Sequence, residues 1–329
     1  MRVLVTGGSG AIGGYVLREL LQAGHAVTSY GRAAPVVEGA HYLPGDIGSL
    51  DQLKEACRGH SSVIHLAAVP GPGRATPDQL IEVNLMGTVR VLEAAVQAGV
   101  GKVVLASSGA ASGFSFQKNE IIPRYLPIDE EHPSEPQDEY GLSKLLCELA
   151  CKRYSAAHGL RTICLRINHN WYLDFEGASA VVRSGWAKGL SVVDDFWKKR
   201  YRRCLLDPDG ERPVPGPPSP WKLLWAVTDA RDAAQAFRLA VENQTLLHEV
   251  LAINGEDTCS FVETRELISR RYPAVPLKAS LDGYASLVSH EKATRLLGYR
   301  PRFTWRVGEF RDWLDRTEGT SSTNAKSIA

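Results

Sequence analysis

The sequence predicts an α/β fold, with a doubly wound parallel sheet and a smaller lobe in the C-terminal half. The first observation is an alternation of short apolar segments with amphipathic helical segments, which runs from residue 2 to about residue 167. The second is a glycine-rich turn that follows the first apolar segment directly. The third is a break in the alternation after Arg166, which resumes only near Asp229. Together they place an irregular insertion in an otherwise regular sheet domain.

Strands and helices follow in chain order from this alternation. Strands are predicted at Arg2–Thr6, Ala26–Tyr30, His41–Leu43, Ser62–Leu66, Val103–Ser107 and Thr162–Ile167. Helices are predicted at Ala11–Ala23, Leu50–Arg58, Asp78–Ala98 and Glu139–His158. The later part of the chain predicts helices at Asp229–Glu242 and Phe261–Arg271 and a strand at Val250–Asn254. Because the strands are largely apolar, we expect helices on both faces of the sheet.

The predicted domain organisation is a sheet domain over residues 1–168, completed by about 223–254, and a substrate lobe formed by 169–222 and 255–316. Residues 317–329 are polar and rich in serine and threonine, so we expect a disordered tail there. The basic run Lys198–Arg203 is either a solvated helix face or a site for a phosphate or carboxylate. The long interval between residues 108 and 140 predicts a loop over the active site.

Composition and charge favour a small-molecule substrate. The 329 residues are 44% hydrophobic and 23% charged, with a formal net charge of +1. Such a charge recruits neither nucleic acid nor a membrane surface, and no apolar stretch is long enough to span a bilayer. The six cysteines lack a disulfide or zinc spacing, and the N-terminus lacks a secretory signal. We therefore expect a cytoplasmic protein without a metal or a nucleic-acid partner.

The glycine-rich turn predicts a dinucleotide site of the Rossmann type. Gly8, Gly10 and Gly13 have the spacing G-x-G-x-x-G between the first strand and the first helix. Glycine allows a tight turn and a close approach of the backbone to a pyrophosphate, whose charge lies at the helix N-terminus. A plain glycine-rich turn is the alternative, and the strand and helix on either side argue against it. The residues expected to contact the cofactor here are Gly7, Gly10, Ala11, Ile12 and Gly13.

The end of the second strand bears on the choice of cofactor. The stretch Ser29–Arg32 contains no aspartate or glutamate that would bind an adenosine ribose. Arg32 matches the charge and geometry of a 2′-phosphate, which favours NADP over NAD. A solvated surface arginine explains Arg32 as well, so NAD remains the alternative.

Short motifs along the chain carry a resemblance to a known family. They are Gly45-Asp46-Ile47, His65-Leu66-Ala67-Ala68, Asn84-Leu85-Met86-Gly87-Thr88, Ser107-Ser108 and Tyr140-Gly141-Leu142-Ser143-Lys144. With the glycine turn, their order and spacing resemble the extended short-chain dehydrogenase/reductase family, which includes the NAD-dependent epimerases and dehydratases. The resemblance implies Asp46 near the adenine, Ala67 in the cofactor pocket and Lys144 on the nicotinamide ribose. It assigns to the same cofactor site Ile47, Leu66, Ala68, Asn84 and Tyr140.

The resemblance makes Ser108, Tyr140 and Lys144 the catalytic residues, and their chemistry fits hydride transfer. Oxidation of an alcohol needs a base for the hydroxyl proton, and a phenol serves near neutral pH only if its pKa falls from about 10. Lys144 follows Tyr140 by one helical turn, so both side chains share a helix face, where an ammonium favours phenolate. Ser108 would bind and orient the substrate oxygen. The choice of Ser108 over Ser107 rests on the resemblance, through its distance from Gly113.

Departures from the family pattern narrow the substrate. Dehydratases of the family follow the catalytic serine with an Asp-Glu pair, where this chain has Gly109 and Ala110, so dehydration is disfavoured. The family's usual clamps for a nucleotide diphosphate are incomplete, which argues against a nucleotide sugar. His169 is either an acid/base or a structural polar residue. The candidate substrate residues are Ser108, Asn168, His169 and Lys222.

The sequence thus predicts an NAD(P)-dependent oxidoreductase that catalyses reversible hydride transfer at a secondary alcohol or ketone of a sugar-like or polyhydroxylated small molecule. An epimerase of a sugar or nucleotide sugar, with tightly held NAD, is an alternative that uses the same residues. A non-catalytic protein that senses dinucleotides is an alternative of another class. The resemblance also implies a homodimer formed by the helices that contain Asn84 and Tyr140. Candidate contacts, which would equally suit packing on the sheet, are Val91, Ala95, Leu146 and Ala150.

Overall fold

The computed structural model describes residues 1–174, 201–202, 205 and 219–324, with the backbone alone over 317–324. Of the basic run Lys198–Arg203, only Tyr201 and Arg202 fall within this description, and the rest of the run lies outside it. Tyr201 is buried and stacks on Trp171, with the two ring centroids 4.3 Å apart. At least one residue of the run therefore packs in a core.

The described strands form one large parallel sheet and one small one. The strands are β1 (Arg2–Thr6), β2 (Ala26–Gly31), β3 (His41–Pro44), β4 (Ser62–His65), β5 (Lys102–Ser108), β6 (Arg161–Ile167), β7 (Asn170–Trp171), β8 (Thr228–Asp229) and β9 (His248–Ile253). The large sheet has seven strands in the order β3-β2-β1-β4-β5-β6-β9, and all neighbours are parallel. The strand order reverses between β1 and β4, which opens a crevice at their carboxyl ends. The predicted doubly wound α/β fold is confirmed.

Helices cover both faces of the large sheet. They are α1 (Ala11–Gln22), α2 (Leu50–Cys57), α3 (Pro77–Ile81), α4 (Gly87–Gln97), α5 (Glu139–His158), α6 (Ala230–Glu242), α7 (Thr264–Arg271), α8 (Glu291–Leu297) and α9 (Glu309–Asn324). Alternate residues of β1 pack against the two helix layers. Val3 and Val5 pack with α1 and α6 on one face, whereas Leu4 packs with α2 and α4 on the other. Within the described chain, no helix has the length and apolar character needed to cross a membrane.

Helix α5 coincides with its prediction because the sequence marks both of its ends. Asp138 caps the first turn, where its Oδ1 accepts a hydrogen bond from the backbone N of Gly141 at 2.8 Å. Gly159 ends the helix with a φ of 65°, in the left-handed region that favours glycine. The N-terminal cap fixes the position of Tyr140 in the first turn of the helix.

The single helix predicted over Asp78–Ala98 is interrupted. Helix α3 and helix α4 are separated by a π-helical turn over Glu82–Met86. At the centre of this turn Asn84 forms side-chain hydrogen bonds with the backbone of Val69. The wider turn follows from this tertiary contact, which the local sequence does not reveal.

The C-terminal third packs around a core of its own. Strands β7 and β8 form the small sheet, and Trp171, Trp225 and Trp305 are fully buried beside it. The same cluster includes Leu267 of α7 and Leu314 of α9. This separate core favours the predicted substrate lobe, and the boundaries of the lobe stay a prediction.

Helix α9 extends into the segment that the sequence predicts as a disordered tail. Its backbone is helical to Asn324, and the disordered tail at 317–329 stays a prediction. Phe310 and Leu314 anchor the start of the helix, each with 1% of its surface exposed. No proline follows to stop the helix. Residues 325–329 lie outside the described part of the chain.

A buried lysine ties α6 to the amino-terminal edge of the sheet. Lys102, at the start of β5, donates hydrogen bonds from Nζ to the carbonyl oxygens of Ala240 at 3.0 Å and Val241 at 2.7 Å, and also to that of Asn243. The last carbonyls of a helix have no helical N–H partner. Lys102 therefore caps the C-terminus of α6 from within the core.

Candidate active site

A cleft of about 1350 Å³ opens at the carboxyl ends of the central strands. It is bounded by the turn after β1, the ends of β2, β4 and β5, and the start of α5. Among the predicted cofactor residues, those that line it are Gly7, Gly10, Ala11, Ile12, Arg32, Asp46, Ile47, Leu66, Ala67, Ala68, Tyr140 and Lys144. The predicted substrate residues Ser108 and His169 line it as well. The structure thus brings both sets into one cleft, with four exceptions described below.

The glycine turn forms a backbone cradle at one end of the cleft. Gly7 has a φ of 75°, and its carbonyl oxygen accepts a hydrogen bond from the backbone N of Gly10 at 3.0 Å. A Cβ on Gly7 would lie 2.7 Å from the backbone N of Ala67, and a Cβ on Gly13 would lie 2.6 Å from the carbonyl oxygens of Gly7 and Gly8. Gly13 does not line the cleft but lets α1 pack against the turn. This cradle at a helix N-terminus fits a dinucleotide pyrophosphate.

The ends of β2 and β3 form the rim of the cleft. Arg32 is exposed on this rim, directly after β2. The hydroxyl of Tyr30 donates to the carbonyl oxygen of Asp46 at 3.0 Å, and Oδ1 of Asp46 accepts from the backbone N of Gly48 at 2.7 Å. These bonds fix the loop after β3 against the end of β2. The rim therefore offers a guanidinium for a phosphate and a carboxylate for a hydroxyl or an amino group.

Asn84, expected at the cofactor, lies behind the cleft wall with 1% of its surface exposed. Its Oδ1 accepts a hydrogen bond from the backbone N of Val69 at 2.7 Å. Its Nδ2 donates to the carbonyl oxygen of Val69 at 3.2 Å and to Oγ of Ser143 at 3.1 Å. Asn84 therefore links the loop after Ala68 to α5, and its predicted contact with the cofactor stays a prediction.

Ser108, at the end of β5, lines the cleft together with Tyr140 and Lys144 of the first turns of α5. Lys144 is buried, and its Nζ donates to the carbonyl oxygen of Ala106 at 2.8 Å. The same ammonium lies 5.8 Å from the centre of the Tyr140 ring. Phe116 packs edge-on against this ring, with the centroids 5.9 Å apart. The phenol is thus held between a cation and an aromatic ring, on the wall that carries Ser108.

The structure separates the two neighbouring serines at the end of β5. Ser107 donates its hydroxyl hydrogen bond to Glu148, a buried carboxylate of α5. Oγ of Ser108 accepts from the backbone N of Ala110 at 3.1 Å, on the side of the cleft. Both serines line the cleft, but the hydroxyl hydrogen of Ser107 is already donated to Glu148. The choice of Ser108 as the residue that binds the substrate stays a prediction.

A neutral histidine lies beneath this wall. Burial lowers the pKa of His65 to about 3, and the charge of Lys144 acts in the same direction. Nδ1 of His65 lies 2.7 Å from Oγ1 of Thr6. His65 therefore stays uncharged around neutral pH.

The sequence analysis missed several residues of the cleft wall. These residues are Val69, Pro70, Arg74, Ser115, Phe116, Asn170, Tyr172 and Leu223. Val69 precedes the run Pro70–Gly73, Pro70 belongs to it and Arg74 follows it. Such a run shortly after a buried strand is a signal for a loop at the sheet's carboxyl edge. The predicted loop between residues 108 and 140 reaches the cleft through Ser115 and Phe116. No local pattern indicates the remaining residues.

Of the predicted substrate residues, His169 faces the cleft, whereas Asn168 and Lys222 do not line it. Nδ1 of His169 accepts a hydrogen bond from Nε1 of Trp171 at 3.3 Å. Because an indole only donates, this bond holds neutral His169 in the tautomer with its hydrogen on Nε2. Nζ of Lys222 donates to the carbonyl oxygen of Gln117 at 3.0 Å, which turns this ammonium to the loop and away from the cleft.

Asn168 occupies the space beside Gly109. A Cβ on Gly109 would lie 2.0 Å from Oδ1 of Asn168, so position 109 accepts no side chain while Asn168 keeps this conformation. Ala110 is buried, with 1% of its surface exposed. The two positions where a dehydratase carries its acid pair are therefore tightly packed, and a side chain at position 109 would require the amide of Asn168 to rotate away.

A backbone cradle for a pyrophosphate, together with a serine, a tyrosine and a lysine on one wall, defines an enzyme that depends on a nicotinamide dinucleotide. Residues 3–183, more than half of the chain, match the model of the NAD dependent epimerase/dehydratase family. The chain belongs to this family, as the motifs of its sequence indicated. Around the cleft and elsewhere in the described residues, no three histidine, cysteine, aspartate or glutamate side chains are grouped to hold a metal ion.

Relatives of two activities match most of the chain. A UDP-glucose 4-epimerase from Streptomyces lividans is 34% identical over 321 residues, which cover 91% of each chain. An L-arabinose 1-dehydrogenase (NAD(P)(+)) from Haloferax volcanii is 35% identical over 306 residues, which cover 92% of this chain and 96% of the relative. Among solved structures, MoeE5 in complex with UDP-glucuronic acid and NAD has a TM-score of 0.66 and 25% identity, and the match covers 96% of this chain and 100% of MoeE5.

Proposed function

We propose that the protein is an NAD(P)-dependent oxidoreductase that catalyses reversible hydride transfer at a secondary alcohol or ketone of a sugar-like small molecule. One observation supports the proposal: Tyr140, Lys144 and Ser108 line the same cleft as the glycine cradle. This reaction requires a proton acceptor, a cation and a hydroxyl group within reach of one bound alcohol.

The roles of the three residues follow from their contacts. A bound nicotinamide supplies the acceptor or donor of the hydride. Lys144, oriented by the carbonyl oxygen of Ala106, would hold the nicotinamide ribose and favour the phenolate of Tyr140. Tyr140 takes the hydroxyl proton as the alcohol carbon loses its hydride, and returns it in the reverse direction. Ser108 donates a hydrogen bond to the substrate oxygen and fixes its position during the transfer.

We further propose a free sugar as the substrate, in preference to a nucleotide sugar. The ammonium of Lys222, a candidate substrate residue that could bind a diphosphate, donates instead to the backbone carbonyl oxygen of Gln117. His169 would instead offer a neutral ring to hydroxyl groups, because Trp171 fixes its tautomer. The similarity to an L-arabinose 1-dehydrogenase along nearly the whole chain supports this preference. For the cofactor we propose NADP, through the exposed guanidinium of Arg32, with NAD as the alternative.

An epimerase with tightly held NAD is the second candidate, favoured by the similarity to the UDP-glucose 4-epimerase of Streptomyces lividans. Such an enzyme returns the hydride to the other face of the ketone and has no need to release its cofactor. Denaturation of the purified protein followed by mass spectrometry distinguishes the two. Stoichiometric NAD would favour the epimerase, whereas a protein without bound dinucleotide would favour net oxidation or reduction.

Replacement of Tyr140 by Phe tests the proposed chemistry. We expect turnover with aldoses and NAD or NADP to fall by roughly 10²- to 10⁴-fold, because the phenol is the proton acceptor. Cofactor affinity should change little. The matched control is Tyr154→Phe on the same helix, where the lost hydroxyl donates to Glu93 at 2.9 Å, away from the cleft. Turnover that survives in Tyr140→Phe as well as in the control would refute the mechanism, and a wild-type protein without turnover would favour the dinucleotide sensor.

We also propose a homodimer through α4 and α5. Val91 and Ala95 are fully buried within the protomer, so these two candidates have no exposed surface to offer to a second copy. Leu142 and Leu149 of α5 are instead 42% and 54% exposed, and Met86 beside α4 is 37% exposed. Sedimentation should show a dimer that Leu149→Arg converts to a monomer. A wild-type monomer at assay concentration would contradict the proposal.

A further inference from the structure

A buried ion pair lies directly behind the catalytic wall. Glu148 of α5 and Arg166 of β6 have side chains that are only 5% and 9% exposed. Nε of Arg166 donates to one carboxylate oxygen of Glu148 at 2.9 Å, and Nη2 donates to the other at 2.8 Å. This bidentate arrangement fixes both the distance and the orientation of the two groups.

The same carboxylate also holds the strand that carries the catalytic serine. Ser107 donates its hydroxyl hydrogen bond to Oε1 of Glu148, and Ser107 lies opposite Arg166 in the register of β5 and β6. Because Ser107 directly precedes Ser108, an anchored Ser107 turns Ser108 towards the cleft. The carboxylate thus receives bonds from both strands at the point where β5 enters the active site.

The ion pair reaches the remaining catalytic elements as well. Glu148 follows Tyr140 and Lys144 along α5 at intervals of four residues, so the three side chains lie on one flank of the helix. Nη2 of Arg166 donates a further hydrogen bond to Oγ of Ser134, in the loop that leads from Phe116 to α5. One ion pair therefore contacts two strands, the catalytic helix and the loop over it.

Stability alone does not account for such a pair. Burial of two charges has a high desolvation cost, and well-packed apolar side chains in the same place are often as stabilising or more so. What apolar side chains do not supply is the directional bonding that holds Ser107 at a fixed place relative to α5. We propose that Glu148 and Arg166 are positioning residues, which hold the Ser108 hydroxyl at a fixed distance from the phenol of Tyr140 and so set the rate of hydride transfer without contact with the substrate.

The kinetic part of this inference rests on the proposed function, and Ser107→Ala tests it with both charges left in place. Its matched control is Ser155→Ala, which removes a similarly buried hydroxyl from α5, the helix of Glu148. The Ser155 hydroxyl donates to the carbonyl oxygen of Leu247 at 3.3 Å. We expect Ser107→Ala to lower kcat by roughly ten- to a hundredfold, as small displacements of reacting groups do. The kinetic isotope effect with a deuterated substrate should rise, and cofactor affinity should stay within about twofold of the wild type.

The control separates positioning from general loss of structure. Both variants should lose a similar amount of thermal stability, while Ser155→Ala keeps its kcat. Cofactor titration gives the concentration of active sites in each preparation, so that kcat is compared per site. Equal kcat values for the two variants would overturn the inference. Glu148→Gln should lower kcat further, because it removes the carboxylate that both Arg166 and Ser107 bind. If that variant does not fold, Ser107→Ala still decides the question.

Crystal structures of the two serine variants make the inference independent of the proposed reaction. The Ser108 hydroxyl should move relative to the phenol of Tyr140 in Ser107→Ala and stay in place in Ser155→Ala. An unmoved Ser108 would refute the positioning role, whatever the substrate. A displaced Ser108, in a protein whose wild type oxidises no sugar, would instead support the positioning role and refute the proposed function.

Discussion

Substitution of Gly13 by Ala tests whether the glycine turn is the cofactor cradle. The new Cβ would lie 2.6 Å from the carbonyl oxygens of both Gly7 and Gly8, and 3.0 Å is already closer than such atoms come in proteins. These neighbours are backbone atoms, so the turn and α1 must separate by at least 0.4 Å to reach that limit. Overpacking of this kind costs about 1–3 kcal/mol. If the cost falls wholly on the bound conformation of the turn, affinity for the dinucleotide falls by roughly five- to 150-fold.

Calorimetric titration with NAD and with NADP measures this loss. Gly101→Ala is the matched control, because its Cβ would lie 3.8 Å from the carbonyl oxygen of Ser61, an ordinary contact at the other end of the sheet. The control should bind the cofactor like the wild type. Wild-type affinity in a folded Gly13→Ala protein would show that the turn does not hold the pyrophosphate, and the reasoning from the G-x-G-x-x-G spacing would fail.

Two further predictions concern the rim and the core. Arg32→Ser should weaken NADP binding by roughly 10- to 100-fold, because hydrogen bonds to charged groups contribute about 1.5–3 kcal/mol. The same substitution should leave NAD binding unchanged. Equal effects on the two cofactors in fluorescence titrations would contradict the role of Arg32. Lys102→Met should lower the free energy of unfolding in urea by about 1–3 kcal/mol, because it leaves carbonyl oxygens at the end of α6 without a donor. Lys54→Met, at a surface ion pair, should change the free energy of unfolding by less than about 0.5 kcal/mol. Equal losses of stability in the two lysine variants would count against the capping role of Lys102.

The sequence predicts the parts of the fold that depend on local pattern. Strand β1 and helix α5 lie where the apolar spacing and the capping residues place them. The interruption of the helix near Asn84 escapes such reasoning, because it depends on a contact with Val69 in another loop. The helical end of the chain escapes it for a similar reason, since Phe310 anchors α9 in a core assembled from distant segments.

The same distinction applies to the active site. Tyr140 and Lys144 share a helix, so their spacing alone places them together. Asn168 and Lys222 were predicted to lie near the substrate from their positions in the sequence. The direction of each side chain depends on the residues that surround it in the fold, which the sequence alone does not show. Lys222 turns to the carbonyl oxygen of Gln117, more than a hundred residues earlier in the chain, and no motif encodes that contact. Phe116 was missed because only the folded loop brings it to Tyr140.

The close contact between Gly109 and Asn168 couples two positions beside the end of β5. A Cβ at position 109 would lie 2.0 Å from Oδ1 of Asn168, so a side chain fits there only if the amide of Asn168 rotates away. A carboxylate at position 109, which a dehydratase needs, would therefore displace Asn168 from its present place next to Ser108. Introduction of the missing acids would thus also rearrange a neighbouring residue of the active-site region, and the effect of a substitution at position 109 should depend on the residue at position 168.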